Sequence, residues 1–76
     1  MPTVFRANGF RFFSVMADLG EPIHIHATRR NRVAKFWLDP VGLASNKGFR
    51  DHELNDIAQI VMDNLELIRR RWNERL

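Results

Sequence analysis

The sequence contains no cysteine, which excludes disulfide bonds and cysteine-ligated zinc as sources of stability. It contains no apolar run that approaches the roughly 18 residues needed to span a bilayer. The opening segment, MPTVFRANGF, lacks the apolar stretch and the small-residue cleavage site of a signal peptide. We therefore expect a cytoplasmic protein that makes no membrane contact.

The chain is also short, and its 76 residues leave no room for a second hydrophobic core. Hydrophobic residues make up 45% of it, which is enough for a folded protein and argues against disorder. We expect one domain over residues 1–76. Because so short a chain without disulfides gains little stability from burial alone, a partner chain is a natural additional source.

The charge balance is mildly basic. Twelve lysines and arginines face nine aspartates and glutamates, for a net charge of +3, and most of the cations are arginine. The arginine side chain suits bidentate contacts to phosphate or carboxylate groups. The composition therefore permits either a nucleic acid or an acidic protein as a partner, and it selects neither.

The first half of the chain has the pattern of β-strands. Short β-prone segments are predicted over residues 3–7, 10–16, 23–28 and 32–38. Asn8-Gly9 is a strong signal for a two-residue hairpin turn, and Asp39-Pro40 ends the fourth strand. Residues 41–48 are rich in glycine and small polar residues, so we interpret them as a loop or a short strand-like link.

After residue 50 the spacing of apolar residues changes to steps of three and four, which predicts one long helix. The apolar stripe consists of Leu54, Ile57, Ala58, Val61, Leu65, Ile68 and Trp72. Asp51 is the expected N-cap, and Asp63-Asn64 could kink or split the helix. We therefore predict an α+β fold in which one C-terminal helix packs on one face of a four-stranded antiparallel meander, in the order β-β-β-β-α.

Strand alternation predicts which side chains the helix does not cover. Ile23, Ile25 and Ala27 share one face of the third strand, and Ala34, Phe36 and Leu38 match them from the fourth. The opposite face, here called the open face, is predicted to carry His24, His26, Lys35, Trp37 and Phe13. An uncovered patch of this composition is typical of a surface that binds a partner or a ligand.

The His24-x-His26 pair has three interpretations. Two imidazoles on one strand face can share a metal ion, but a zinc site needs three or four ligands and the spacing selects no third. The pair could act as catalytic acid and base beside the Lys35 cation, or it could be part of an interface. We favour the interface and predict no bound metal and no cofactor.

Arg29, Arg30 and Arg32 form a basic turn between the third and fourth strands. Such a turn could contact phosphate groups without reading a nucleotide sequence. The alternative is a solvated hairpin tip, which we favour.

Several segments together resemble a known bacterial family, the domain of unknown function 4160 (DUF4160). They are MPTVFRANGFRFFSV, EPIHIH, AKFWLDPV and the closing helix through WNE. The residues that match the family pattern are Pro22, His24, His26, Lys35, Trp37 and Asp39. Arg50 and Gly42 depart from it, the first replacing a serine-like cap and the second an acidic residue.

The resemblance implies a compact bacterial protein encoded beside another small protein, often of the DUF2442 family, in a toxin–antitoxin-like pair. The family has no established biochemical activity. We therefore expect a component of such a pair that binds a small cognate protein, or a second copy of itself, through the open face. The alternatives are a metal-independent ribonuclease toxin that uses His24 and His26, and a small basic module that binds RNA or DNA.

Overall fold

A computed structural model describes residues 3–14 and 20–74, which form one sheet followed by two helices. The strands are β1 (Thr3–Ala7), β2 (Phe10–Phe13), β3 (His24–Arg29), β4 (Arg32–Leu38) and β5 (Val41–Lys47), and the helices are α1 (Asp51–Asp63) and α2 (Leu65–Glu74). The strands pair antiparallel in chain order, so the sheet is a meander. The predicted α+β class is confirmed.

Tight turns join β1 to β2 and β3 to β4. Asn8 and Gly9 both adopt positive φ, at 52° and 82°, which is the backbone of a two-residue hairpin turn. Arg30, with φ of 58°, occupies the turn between β3 and β4. The second strand ends at Phe13, earlier than predicted, and the predicted strand residues 15–16 lie outside the described part of the chain.

The sheet has five strands, so the predicted four-stranded sheet is wrong by one. The segment interpreted as a loop forms β5, which pairs with β4 from Leu38↔Val41 to Val33↔Lys47. Glycine and small polar residues have low strand propensity, but hydrogen bonds to β4 satisfy the backbone of β5 regardless of its side chains. An irregularity in the register beside Ala44 accounts for the weak alternation of this strand.

The helical segment consists of two helices, so the prediction of one long helix is also wrong. The break falls at Asn64, whose φ of −121° and ψ of 20° lie outside the helical range. Its side-chain Nδ2 donates to the Ile60 carbonyl oxygen at 2.8 Å. Asparagine side chains compete for backbone hydrogen bonds in this way, which explains why the helix breaks at the position predicted for a kink or split.

The first helix begins with a different cap from the one predicted. Arg50, not Asp51, is the N-cap residue, and its backbone N–H donates to Glu53 Oε1 at 2.9 Å. This is the half of a capping box that depends on a glutamate three residues after the cap. An arginine can occupy the cap position because the glutamate accepts the hydrogen bond.

Both helices bury apolar side chains against the same face of the sheet, the helix-covered face. The buried cluster contains Phe10, Phe12, Ile25, Ala27, Ala34, Phe36, Leu38, Phe49, Ile57, Ile60, Val61 and Ile68. The register aligns Phe12 with Ala27 and Ala34, and Ile25 with Phe36. The predicted core positions of the third and fourth strands are therefore confirmed.

Glu53 joins the start of α1 to the β3–β4 hairpin. Its Oε2 lies 3.7 Å from Arg29 Nη1 and 3.3 Å from Arg32 Nη1, and its side chain is largely shielded from solvent. The pKa of this carboxyl lies below its ordinary value, chiefly because Arg50 N–H donates to it, while Arg32, His52 and Arg29 add attraction and burial opposes the shift. Glu53 thus caps the start of α1 and ties α1 to the β3–β4 hairpin.

Replacing this carboxylate should make stability depend less on pH. A depressed folded-state pKa contributes stability above the ordinary glutamate pKa of about 4.3, and that contribution disappears as the pH falls through the lower folded value. We expect Glu53→Gln to lower the free energy of unfolding at pH 7 and to approach wild type near pH 3, as measured by urea unfolding. Glu66→Gln, at an exposed position, is the control. A loss of unfolding free energy in Glu53→Gln that stays constant with pH contradicts the prediction.

Candidate functional site

The sheet register brings the predicted open-face residues together. Phe13, His26 and Lys35 are aligned across β2, β3 and β4. His24 and Trp37 are aligned two positions along, and so lie on the same face. Residues that face each other across antiparallel strands share a sheet face, so all five lie on the side opposite the helix-covered core.

Four of these residues form a continuous line of aromatic contacts. The rings of Phe13 and His26 stack with centroids 5.1 Å apart. His24 meets His26 edge to face at 5.3 Å and meets Trp37 edge to face at 5.8 Å. Stacked and edge-to-face pairs at these distances are favourable, so the row of rings also stabilises the sheet.

His24 differs from the exposed residue that the sequence predicted, because none of its surface is accessible. Its Nδ1 donates to the Pro22 carbonyl oxygen at 2.8 Å. Trp72, expected in the core as part of the apolar stripe, is only half-buried, and its ring centroid lies 5.1 Å from that of His24. The second helix therefore reaches the edge of the open face and closes off one of the two histidines.

Lys35 is held by two neighbours on the open face. Its ammonium group lies 4.8 Å from the centroid of the Trp37 ring and forms an ion pair with Glu21. The lysine therefore covers part of the tryptophan ring, and its charge is already balanced within the chain. The predicted role of Lys35 as a cation for a ligand has to compete with this ion pair.

The structure brings Arg29 and Arg32 of the possible phosphate contact together, opposite each other across β3 and β4, and leaves Arg30 apart in the turn. Arg29 and Arg32 both pair with Glu53, and the Arg29 guanidinium lies 3.8 Å from the Phe10 ring centroid. Arg30 is exposed in the turn. Two of the three side chains thus connect the hairpin to the helical layer.

A different group of cations lies on the open face, and sequence reasoning missed it. The register aligns Arg6 with Arg11, then Thr28, Val33 and Lys47 in one line across the sheet. We call Arg6, Arg11 and Lys47 the basic row. The Asn8-Gly9 turn was a usable signal, because a two-residue turn at 8–9 pairs position 6 with position 11.

The basic row lacks internal counterions. No carboxylate within residues 3–14 and 20–74 forms an ion pair with Arg6, Arg11 or Lys47. The Arg11 guanidinium lies 4.8 Å from the Phe13 ring centroid, and its Nε is buried without a hydrogen-bond partner. Like charges directly opposite each other destabilise an antiparallel pair, so an anion near Arg6 and Arg11 would stabilise this part of the sheet.

The acidic residues are concentrated outside the strands of the sheet. None of the five strands contains an aspartate or a glutamate. In the part of the chain that the structure describes, the carboxylates lie in the helices and in the segments between elements. The sheet is therefore the cationic layer of the molecule.

Two further observations concern the described residues only. None of their groups of three or more histidine, aspartate or glutamate side chains is placed to hold a metal ion. Neither α1 nor α2 has the length and apolar character that crossing a membrane requires.

The two histidines should respond differently to truncation. His24→Ala removes a fully buried ring and its hydrogen bond to Pro22, so we expect it to lower the free energy of unfolding by about 2 kcal/mol or more. His26→Ala, at a partly exposed position, should cost less than about 1 kcal/mol. Urea unfolding at pH 7.5 measures both, and equal small losses would show that His24 is not a packing residue.

Comparison with known proteins identifies a family. Searches against curated proteins and against solved structures give no match. A family model described as "Domain of unknown function (DUF4160)" matches residues 9–73, which include both histidines, Lys35 and Trp37. The match covers nearly the whole chain and confirms the resemblance seen in the sequence. The chain therefore belongs to the DUF4160 family.

Proposed function

We propose that this chain is a protein-binding module, one component of a toxin–antitoxin-like two-gene pair, that holds a small acidic partner on its open face. The observation that carries the proposal is the basic row, a line of cations on one sheet face that no carboxylate of residues 3–14 and 20–74 pairs with. Opposite charge on the partner would complement this surface and guide the encounter.

The Arg6–Arg11 neighbours give the strongest reason for an anionic partner. Arg6 and Arg11 lie directly opposite each other in the β1–β2 register, and like charges at such positions destabilise the pair. A carboxylate of the partner bound near both side chains would offset this repulsion. Arginine pairs well with carboxylates because two of its N–H groups can donate to both oxygens.

The aromatic residues favour a protein over a single-stranded nucleic acid. Bases bind such surfaces by stacking on exposed rings. Here Phe13 is only 7% exposed and lies between Arg11 and His26, and Lys35 lies over the Trp37 ring. The Phe13 ring and part of the Trp37 ring are thus covered by their neighbours, whereas the cations of the basic row remain without a counterion in the described residues.

The burial of His24 also argues against the ribonuclease alternative. A general base or acid must come within hydrogen-bonding distance of the substrate atom whose proton it moves. With no accessible surface, and with Nδ1 donating to Pro22, His24 has no contact with a substrate on the open face. His24 acts instead as a packing residue beneath Trp72 and Trp37.

The same charges make a second copy of this chain a poor partner for the open face. Two basic rows brought together would repel each other at short range. A different, acidic chain has no such penalty. Because family members resemble components of two-gene pairs, the product of the adjacent gene, of the DUF2442 type, is the partner that we propose.

Reversing one charge of the basic row tests the proposal. We expect Arg11→Glu to weaken binding of the co-expressed adjacent gene product by at least tenfold, which corresponds to about 1.4 kcal/mol, since it places a carboxylate where the partner carries one. Calorimetric titration at two salt concentrations measures the affinity, and wild-type binding should weaken as salt rises.

Arg70→Glu is the matched control, because it makes the same charge change on the exposed surface of α2. It should leave the affinity within about twofold of wild type. Equal losses for both variants would show a general charge effect. Tighter binding of an RNA of similar size than of the protein partner would instead favour the nucleic-acid alternative.

A further inference from the structure

An apolar groove lies at the end of the open face farthest from the basic row. It has a volume of about 350 Å³ and is lined mainly by Pro22, Ile23, Trp37, Pro40, Val41 and Gly42. Trp37 forms one wall, and tryptophan is among the residues that most often dominate binding energy at protein interfaces. We call this feature the Trp37 groove.

Residue 42 lines the groove without a side chain. Gly42 is aligned with Trp37 in the β4–β5 register, and a Cβ atom built on it would meet no other heavy atom within 4 Å. The glycines with positive φ are Gly9 and Gly48, so the backbone of Gly42 is one that other residues can adopt. A larger residue is therefore compatible with position 42, and its side chain would take up space beside Trp37.

The charges around the groove are already neutralised. Asp39, at the rim, lies 3.8 Å from Arg69 through its Oδ1, and Lys35 on the other side is paired with Glu21. Among the described residues that line the groove Asp39 is the charged one, and it would repel an entering carboxylate. An apolar group pays no such penalty and gains from burial against Trp37.

We propose that the Trp37 groove receives one apolar side chain of the acidic partner, and that an acidic residue of the same extended segment contacts Arg6 and Arg11. This rests on the proposed function and specifies how the partner is recognised. The partner would thus be bound at two points, an apolar anchor at one end of the open face and a carboxylate at the other.

The sheet geometry sets the spacing between the two points. On β3, His24 is aligned with Trp37 and Thr28 is aligned with Arg11. These two positions are four residues apart, which is about 13 Å along the strand at roughly 3.3 Å per residue. From β4 to β2 is two strand spacings, about 9.5 Å. The diagonal of about 16 Å matches roughly five residues of extended chain. The apolar and acidic residues should be about five positions apart.

Synthetic peptides test this arrangement without knowledge of the natural partner. The probe carries one leucine, a glycine–serine spacer and two aspartates about five positions away, and it is made in both chain directions. Two variants replace leucine by alanine or the aspartates by asparagines. Binding to the ¹⁵N-labelled protein is followed by NMR at the Gly42 amide and the Trp37 indole N–H.

We expect the leucine peptide to bind about tenfold more tightly than the alanine peptide, because the groove buries the extra apolar surface. Gly42→Leu should abolish that preference by filling the groove, and Gly42→Ala should reduce it. Asn31→Leu, exposed in the turn at the other end of the sheet, should retain it. NMR signals of each variant that match those of the wild type away from the groove show that the variant remains folded.

The outcomes separate this inference from the proposed function. If the leucine and alanine peptides bind equally well and the asparagine peptide binds more weakly, the proposed role of the groove is wrong and the acidic partner is supported. The reverse pattern supports the groove and overturns the acidic partner. A single-stranded RNA that shifts the Gly42 and Trp37 signals at lower concentration than the peptide overturns both.

Discussion

The packing of two short helices on one face of a five-stranded sheet is the constraint on which the other features depend. Side chains on a strand alternate between faces, so each residue that α1 and α2 bury has neighbours that must point the other way. Ile25 is buried against Phe36 in the core, and His24 and His26 therefore lie on the open face. Because the core does not need these outward residues to be apolar, their chemistry is available for binding.

Ion pairs divide the cations of the sheet into two groups. Glu53 holds Arg29 and Arg32 where the β3–β4 hairpin meets α1, and Glu21 holds Lys35 beside Trp37. These cations contribute to the fold. The basic row has no carboxylate of this kind within the described residues, so its charge is directed outward. The two groups have the same side-chain chemistry and differ only in what the chain places beside them.

Much of the sheet could be predicted from local signals. Alternation and the Asn8-Gly9 turn predicted β1 and β4 with correct bounds and the core positions around Ile25. The fifth strand could not be predicted in this way, because Gly42 and its small polar neighbours favour turns when taken alone. Pairing with β4 supplies the hydrogen bonds that make this segment a strand, and such pairing is a property of the tertiary structure.

The candidate site shows the same division. Alternation correctly assigned His24, His26, Lys35 and Trp37 to one face, but it carries no information on how much of each is exposed. Trp72, distant in sequence, covers His24 because α2 passes the end of the sheet where β3 begins. Similarly, the sequence left Arg29 as part of a solvated hairpin tip or a possible phosphate contact, and the position of Glu53 in α1 determines that it is paired.

Local patterns in the sequence are enough to predict the strand alternation, the tight turns, the helical stripe and membership of the DUF4160 family, because each depends on residues near one another or on a pattern along the chain. The pairing of the cations, the burial of His24 and the groove beside Trp37 and Gly42 are evident from the packed molecule and not from those patterns. Burial, ion pairing and free volume depend on side chains from separate elements, and packing alone brings those elements together.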